Sequence, residues 1–115
     1  MIIEPNQISI VTNMMHMDLL QYINNKHNLL VEQEIKYIFL QVVEAIVFCH
    51  LYDYMYRDVK PENILVNIKE NQITDVKLSD FGFAKKIDNE NENDKTCGTH
   101  GYKAPEMLRR SEPYN

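Results

Sequence analysis

Three observations predict an α+β fold for this chain of 115 residues. Two short apolar segments bracket a turn near the amino terminus, one long stretch repeats its apolar residues at helical spacing, and two short apolar runs flank a polar turn further on. Ile2 and Ile3, then Ile8, Ile10 and Val11, enclose Glu4, Pro5, Asn6 and Gln7, the pattern of two strands joined by a turn. From Val31 to Val47 the residues Val31, Ile35, Ile38, Phe39, Val42, Val43 and Ile46 recur at i, i+4 and i+7, with Lys36, Gln41 and Glu44 on the other side. This is the clearest helix, and its stripe is expected to be core. Ile64, Leu65 and Val66, then Val76, Lys77 and Leu78, read as short strands around a turn from Lys69 to Thr74. Asp88 to Asp94 alternates Asp, Asn and Glu without an apolar residue, so a solvated, mobile loop is expected there.

Composition fits one globular domain, with 44% hydrophobic and 25% charged residues. A formal net charge of -5 disfavours non-specific binding to nucleic acid and is compatible with basic peptide partners. Cys49 and Cys97 lack C-x-x-C spacing, and His16, His27, His50 and His100 form no zinc pattern with them. Both thiols therefore read as free, in an intracellular and cytoplasmic chain. No secretory signal pattern opens the sequence, and its longest apolar stretch, Val42 to Cys49, is broken by Glu44, so no membrane span is expected.

The densest chemistry lies in Tyr56, Arg57, Asp58, Val59, Lys60, Pro61, Glu62 and Asn63, followed by Asp80, Phe81 and Gly82 and then by Ala104, Pro105 and Glu106. Pro61 removes a donor and restricts the residue before it, so the first run reads as a loop. Taken singly, each motif is also compatible with ordinary turn chemistry. Together and in this order they resemble the protein kinase family: a catalytic loop H-R-D-L-x-x-x-N with Tyr56 in place of His, the D-F-G metal motif, and the A-P-E that ends the activation segment. The resemblance implies a partial kinase-like fold, comprising the last N-lobe hairpin (1–12), a hinge (13–17) and the C-lobe up to the end of the activation segment (18–115).

It also implies roles. Phosphoryl transfer asks the protein mainly to position the acceptor hydroxyl and to neutralise charge on phosphate oxygens. Asp58 would orient the substrate hydroxyl and Lys60 would face the transferring phosphate. Asn63 and Asp80 would give oxygen ligands to Mg²⁺, at strand edges facing one cleft. Thr12 falls at the gatekeeper position, Asn13 and Met15 would meet the adenine of ATP through backbone groups, and Leu65 would floor that pocket. For Met14, Met15 and Met17, adaptable core packing is an equal reading. The hinge lacks the usual Gly pair and is about one residue short. Arg57 would receive a regulatory phosphate, with Thr96 favoured as its position; the other reading is that Lys95, at the usual phosphosite, marks a segment that needs no phosphorylation. The Thr99 hydroxyl would bond Asp58 and Lys60.

Lys60-Pro61-Glu62-Asn63 resembles Ser/Thr kinases, and Tyr56 with Asp80 to Lys85 and Cys97-Gly98-Thr99 resembles the cyclic-nucleotide-dependent and calcium/calmodulin-dependent groups. Asp18 and Glu62 lie where such kinases bind substrate Arg; a helix cap for Asp18 and a solvated face for Glu62 are the alternatives. His100 and Lys103 depart from the usual substrate-docking loop. No Gly-rich loop or V-A-I-K lysine falls within these residues, so the chain is expected to be a fragment, inactive alone, with part of its long helix bare. The alternative functions are a non-catalytic binding module of pseudokinase type and an unrelated small α/β domain.

Overall fold

A computed structural model of the chain describes residues 2–5, 7–27, 29–87 and 97–108. The segment Asp88 to Asp94, Lys95 and Thr96 lie outside the described residues. Strands β1 (Ile2–Glu4) and β2 (Gln7–Ser9) pair antiparallel, with Glu4 opposite Gln7, so both belong to strands and not to the turn. Ile10 and Val11, expected in the second strand, lie beyond it and are exposed, because β1 offers no described partner past Ile2, which pairs with Ser9.

A second sheet places β5 (Ile64–Lys69) between β3 (Met17–Asp18) and β6 (Gln72–Leu78), all antiparallel. The β5–β6 turn is tighter than the sequence suggests. Lys69 pairs with Gln72, and the intervening Glu70 and Asn71 hold φ of 52° and 64°, the positive values whose twist suits a two-residue hairpin. The register skips Thr74, since Asn67 pairs with Asp75 and Ile68 with Ile73. The carbonyl of that bulged residue accepts from the Tyr37 hydroxyl at 2.9 Å. Strands β4 (Tyr54–Met55) and β7 (Lys85–Lys86) form a short third pair.

Helix α1 (Leu19–Asn25) begins at Asp18, whose carboxylate accepts from the Gln21 amide at 2.8 Å. Helix α2 runs Glu32–Leu51. Glu34 in its first turn accepts from the Val31 amide at 3.1 Å, the Tyr22 hydroxyl at 2.6 Å and Lys26 Nζ at 3.2 Å, and so ties α1 to α2. The hydrogen bond from Tyr22 is the main reason its carboxyl stays below the ordinary range; the Val31 amide and Lys26 act in the same direction, against burial. After α2, Asp53 turns left-handed at φ 60°, with its amide on the His50 carbonyl at 3.0 Å, and closes the helix. A single turn, α3, spans Pro105–Leu108.

Leu19, Tyr22, Ile38, Ile64, Val66 and Val76 form the main core, with Met17 and Val42 packed against it. The expected core stripe of α2 therefore divides. Ile38 is buried and Val42 and Ile46 are half-buried, whereas Val31, Ile35, Phe39 and Val43 are exposed, Phe39 by 70%. The small sheet and α1 cover one edge of the stripe, and the adjoining face of α2 stays open among the described residues.

Candidate active site

The chain reaches the site through β4 and the loop from Tyr56 to Lys60. Tyr56 is buried, donates its hydroxyl to the Ser79 carbonyl, and meets the Phe81 ring edge-on at 5.1 Å. Burial, assisted by the negative charges of Asp58 and Asp80, pushes its hydroxyl pKa up to about 12. The ring thus anchors the loop to the end of β6. Arg57 then adopts φ 67° and its Nε donates to the Phe83 carbonyl at 2.8 Å. This left-handed step turns the next residue inward.

Asp58 is 2% exposed and is held through both of its carboxylate oxygens. Its Oδ1 accepts from the Thr99 amide at 2.8 Å and the Thr99 hydroxyl at 2.7 Å. Its Oδ2 accepts from Asn63 Nδ2 at 2.8 Å and pairs with Lys60 Nζ at 3.1 Å. Lys60 also donates to the Thr99 hydroxyl at 2.7 Å, closing a ring of polar contacts. Burial alone would raise the Asp58 pKa, but the donors from Thr99, Lys60 and Asn63 outweigh it and hold the carboxyl below its ordinary value. The carboxylate is therefore ionised at neutral pH.

Pro61 opens one 3₁₀ turn, Pro61–Asn63, which corrects the expectation of loop throughout. At the first position of such a turn its missing N–H has no partner to lose. The turn delivers Asn63 to Asp58, where Nδ2 also donates to the Asp58 carbonyl at 3.0 Å. The Ser79 amide and hydroxyl both donate to the Asn63 carbonyl, at 2.9 and 3.1 Å, joining the two ends of the β5–β6 hairpin. Asp80, the next residue, is exposed at φ 51° and accepts from the Gly82 amide at 3.0 Å. A Cβ on Gly82 would stand 3.0 Å from that carboxylate oxygen.

Thr99 is seated by its neighbours. Cys97 is buried with Met55 and Met107, and Gly98 holds φ 82° with its missing Cβ only 2.8 Å from the Arg57 carbonyl. Glycine is required there on both counts. Ala104, Pro105 and Glu106 lead into and open α3.

A cleft of about 650 Å³ gathers Thr12, Asn13, Met15, Leu65 and Asp80, together with Ile10, Leu78 and Phe81. Asp80 reaches this cleft, whereas Asn63 is turned inward to Asp58. The Asn63 amide nitrogen is committed to Asp58, which leaves its carbonyl oxygen for a cation. An amide oxygen and a carboxylate, completed by water and phosphate, suit Mg²⁺; among the described residues no cluster of three His, Cys, Asp or Glu side chains offers a softer metal its ligands. Asp18 is committed to capping α1, and Glu62 is exposed. The sequence did not disclose the anchoring by Tyr56 and Ser79; the replacement of His by Tyr was its only sign.

The profile described as Protein kinase domain matches residues 1–115. The chain is 44% identical over 80 residues to developmentally-regulated protein kinase 1 of Dictyostelium discoideum, covering 70% of this chain and 11% of that protein. It is 38% identical over 95 residues to the human SNF-related serine/threonine-protein kinase, covering 83% of this chain and 12% of that protein. The chain thus spans about a tenth of the length of these relatives. A chain in the crystal structure of the yeast RNA Pol II CTD kinase complex superposes with a TM-score of 0.71 at 28% identity, covering 83% of this chain and 30% of that one. The α+β architecture is accordingly a partial protein-kinase-like fold, and the chain belongs to the protein kinase domain family.

Proposed function

We propose that the protein carrying this segment is a Ser/Thr kinase that transfers the γ-phosphoryl group of ATP to a hydroxyl of a protein substrate. The observation that carries the reading is the buried Asp58, ionised and held by Lys60, Asn63 and Thr99. Residues 1–12 correspond to the end of the N-lobe, 13–17 to the hinge and 18–115 to the C-lobe through the activation segment. The cleft beside Asn13, Met15 and Leu65 takes the adenine, with Asp80 at its phosphate end. The family uses ATP with Mg²⁺, and the metal, when bound, neutralises charge on the phosphate oxygens. Asp80 and the amide oxygen of Asn63 would hold it. Asp58 accepts and orients the substrate hydroxyl, while Lys60, tied to Asp58 and Thr99, presents a fixed positive charge to the phosphate. A hydroxyl acceptor of Ser or Thr agrees with Lys60 and Thr99.

Substrate basicity rests on Glu62 more than on Asp18, whose carboxylate already serves the helix. Phosphate on Thr96 pairing with Arg57 is the regulatory reading, and phosphopeptide mapping of the active protein tests it. Among the described residues no helix is long and apolar enough to cross a membrane, and a cytoplasmic location is part of the proposal. The decisive experiment is Asp58→Asn in the intact protein. Phosphorylation should vanish while thermal stabilisation by ATP with Mg²⁺ persists. Retained activity would overturn the role of Asp58, and stabilisation by ATP in a wild type that phosphorylates nothing would favour the binding-module alternative.

A further inference from the structure

The connection from β2 to β3 is joined to β5 by one side chain that no part of the proposed chemistry uses. The His16 amide donates to the Val66 carbonyl at 3.1 Å and lies 3.2 Å from Asn67 Oδ1. The His16 ring folds back over the same strand. Its Nδ1 stands 2.9 Å from Asn67 Oδ1 and 3.2 Å from the Ile68 amide nitrogen. Strand β3 begins only at Met17, so continued backbone pairing with β5 is not available to Ile68. The ring nitrogen takes the place of the carbonyl that a longer strand would have offered. The two ring contacts ask opposite roles of Nδ1. Bare, it accepts from Ile68; protonated, it donates to Asn67. Either tautomer therefore keeps the ring on β5.

The position of this contact gives it a consequence. Met15 immediately precedes His16 and Leu65 lies two residues before Asn67, and both line the 650 Å³ cleft from opposite elements. The contact also sits where the β5–β6 register shifts, between Asn67 and Ile68, so the regular ladder is locally interrupted there. We propose that His16 and Asn67 form a clamp that fixes the separation of the Met15 and Leu65 walls, making His16 a positioning residue for the ligand of the cleft. The role of that ligand rests on the reading of the cleft as the adenine site. His16 touches no reacting group, so its loss should weaken nucleotide binding and leave the chemical step alone.

The test uses the intact protein with His16→Ala, Asn67→Ala and the double variant, measuring the KM for ATP, kcat and hydrogen exchange of the Ile68 amide. Each single variant should raise KM for ATP about fivefold with kcat within about twofold, and the double variant should be no worse than the singles. Asn67→Asp keeps the acceptor and should stay near wild type. The Ile68 amide should exchange faster in His16→Ala whether or not nucleotide is present. Unchanged KM in a folded variant, or an equal fall in kcat, overturns the clamp. If wild type itself shows no thermal shift with ATP and Mg²⁺, the adenine reading fails, and the exchange rate at Ile68 still decides whether His16 holds the two elements together.

Discussion

Thr99→Val isolates one hydroxyl at the centre of the site. The replacement keeps the shape and the backbone amide, which remains 2.8 Å from Asp58 Oδ1, but deletes the donor to Asp58 and the acceptor for Lys60. Both lost bonds involve a charged partner, each worth about 1.5–3 kcal/mol. Lys60 retains its contact with Asp58 Oδ2 at 3.1 Å and is partly solvated, so the second loss is largely recovered. The net cost should be about 2 kcal/mol, read as a lower urea midpoint at unchanged slope. The pH dependence supplies an independent check. The folded Asp58 pKa lies below its unfolded value, so its contribution is present above about pH 4 and is lost as pH falls through the folded value. The gap between wild type and Thr99→Val should therefore be largest near neutral pH and shrink in acid. In the intact protein kcat should fall about tenfold if that same interaction also orients Asp58 in the transition state. Thr99→Ser should restore both quantities. A Thr99→Val variant within about 0.5 kcal/mol of wild type at pH 7, or a gap that widens in acid, would refute the reasoning.

Gly98→Ala should cost about 2 kcal/mol in denaturant unfolding, because alanine strains the φ of 82° and its Cβ would meet the Arg57 carbonyl at 2.8 Å. Tyr56→Phe keeps the ring against Phe81 and loses the bond to the Ser79 carbonyl, for a cost of about 1 kcal/mol at pH 7. Because the folded Tyr56 pKa is raised from 10.0 to about 12, wild type should lose stability across that interval as pH rises, and the deficit of Tyr56→Phe should close in alkaline melts. Asp80→Asn should leave stability within about 0.5 kcal/mol, since Asn suits the φ of 51° and keeps an acceptor for Gly82, yet it should abolish the Mg²⁺-dependent part of the thermal shift with ATP.

What the sequence disclosed were features whose determinants are neighbours in the chain. The α2 periodicity and the β5 and β6 runs are local patterns, and the catalytic-loop motif carries both Asp58 and Asn63, which the structure joins at 2.8 Å. The misses depend on partners far along the chain. Strand β3 is two residues long and exists because Met17 and Asp18 find Val66 and Leu65; nothing in its own composition marks it. Ile10 and Val11 look like strand residues yet have no described strand beside them, and Phe39 carries the helical pattern without a covering neighbour among the described residues. Helix α1, with only seven residues, depends on the Asp18 cap and on burial of Leu19 and Tyr22 more than on periodicity.

The backbone around Asp58 shows what holding the site requires. Arg57 and Asp80 both sit in the left-handed region, at φ 67° and 51°, although neither is glycine, and Gly98 supplies a third such turn at φ 82°. For Arg57 and Asp80 that conformation costs about 1 kcal/mol each. The turns reverse the chain so that Tyr56 faces Ser79, Asp58 faces inward, and Thr99 comes down onto the same carboxylate. A segment with these turns and no partner for Asp58 would relax. The four donors to Asp58 offset the strain as well as the desolvation of a buried charge, so the groups assigned to the reaction are also those that keep the loop folded. Substitutions that weaken the ring of contacts, Thr99→Val above all, should therefore lower stability and activity together, whereas Asp80→Asn, outside that ring and in the open cleft, should separate them.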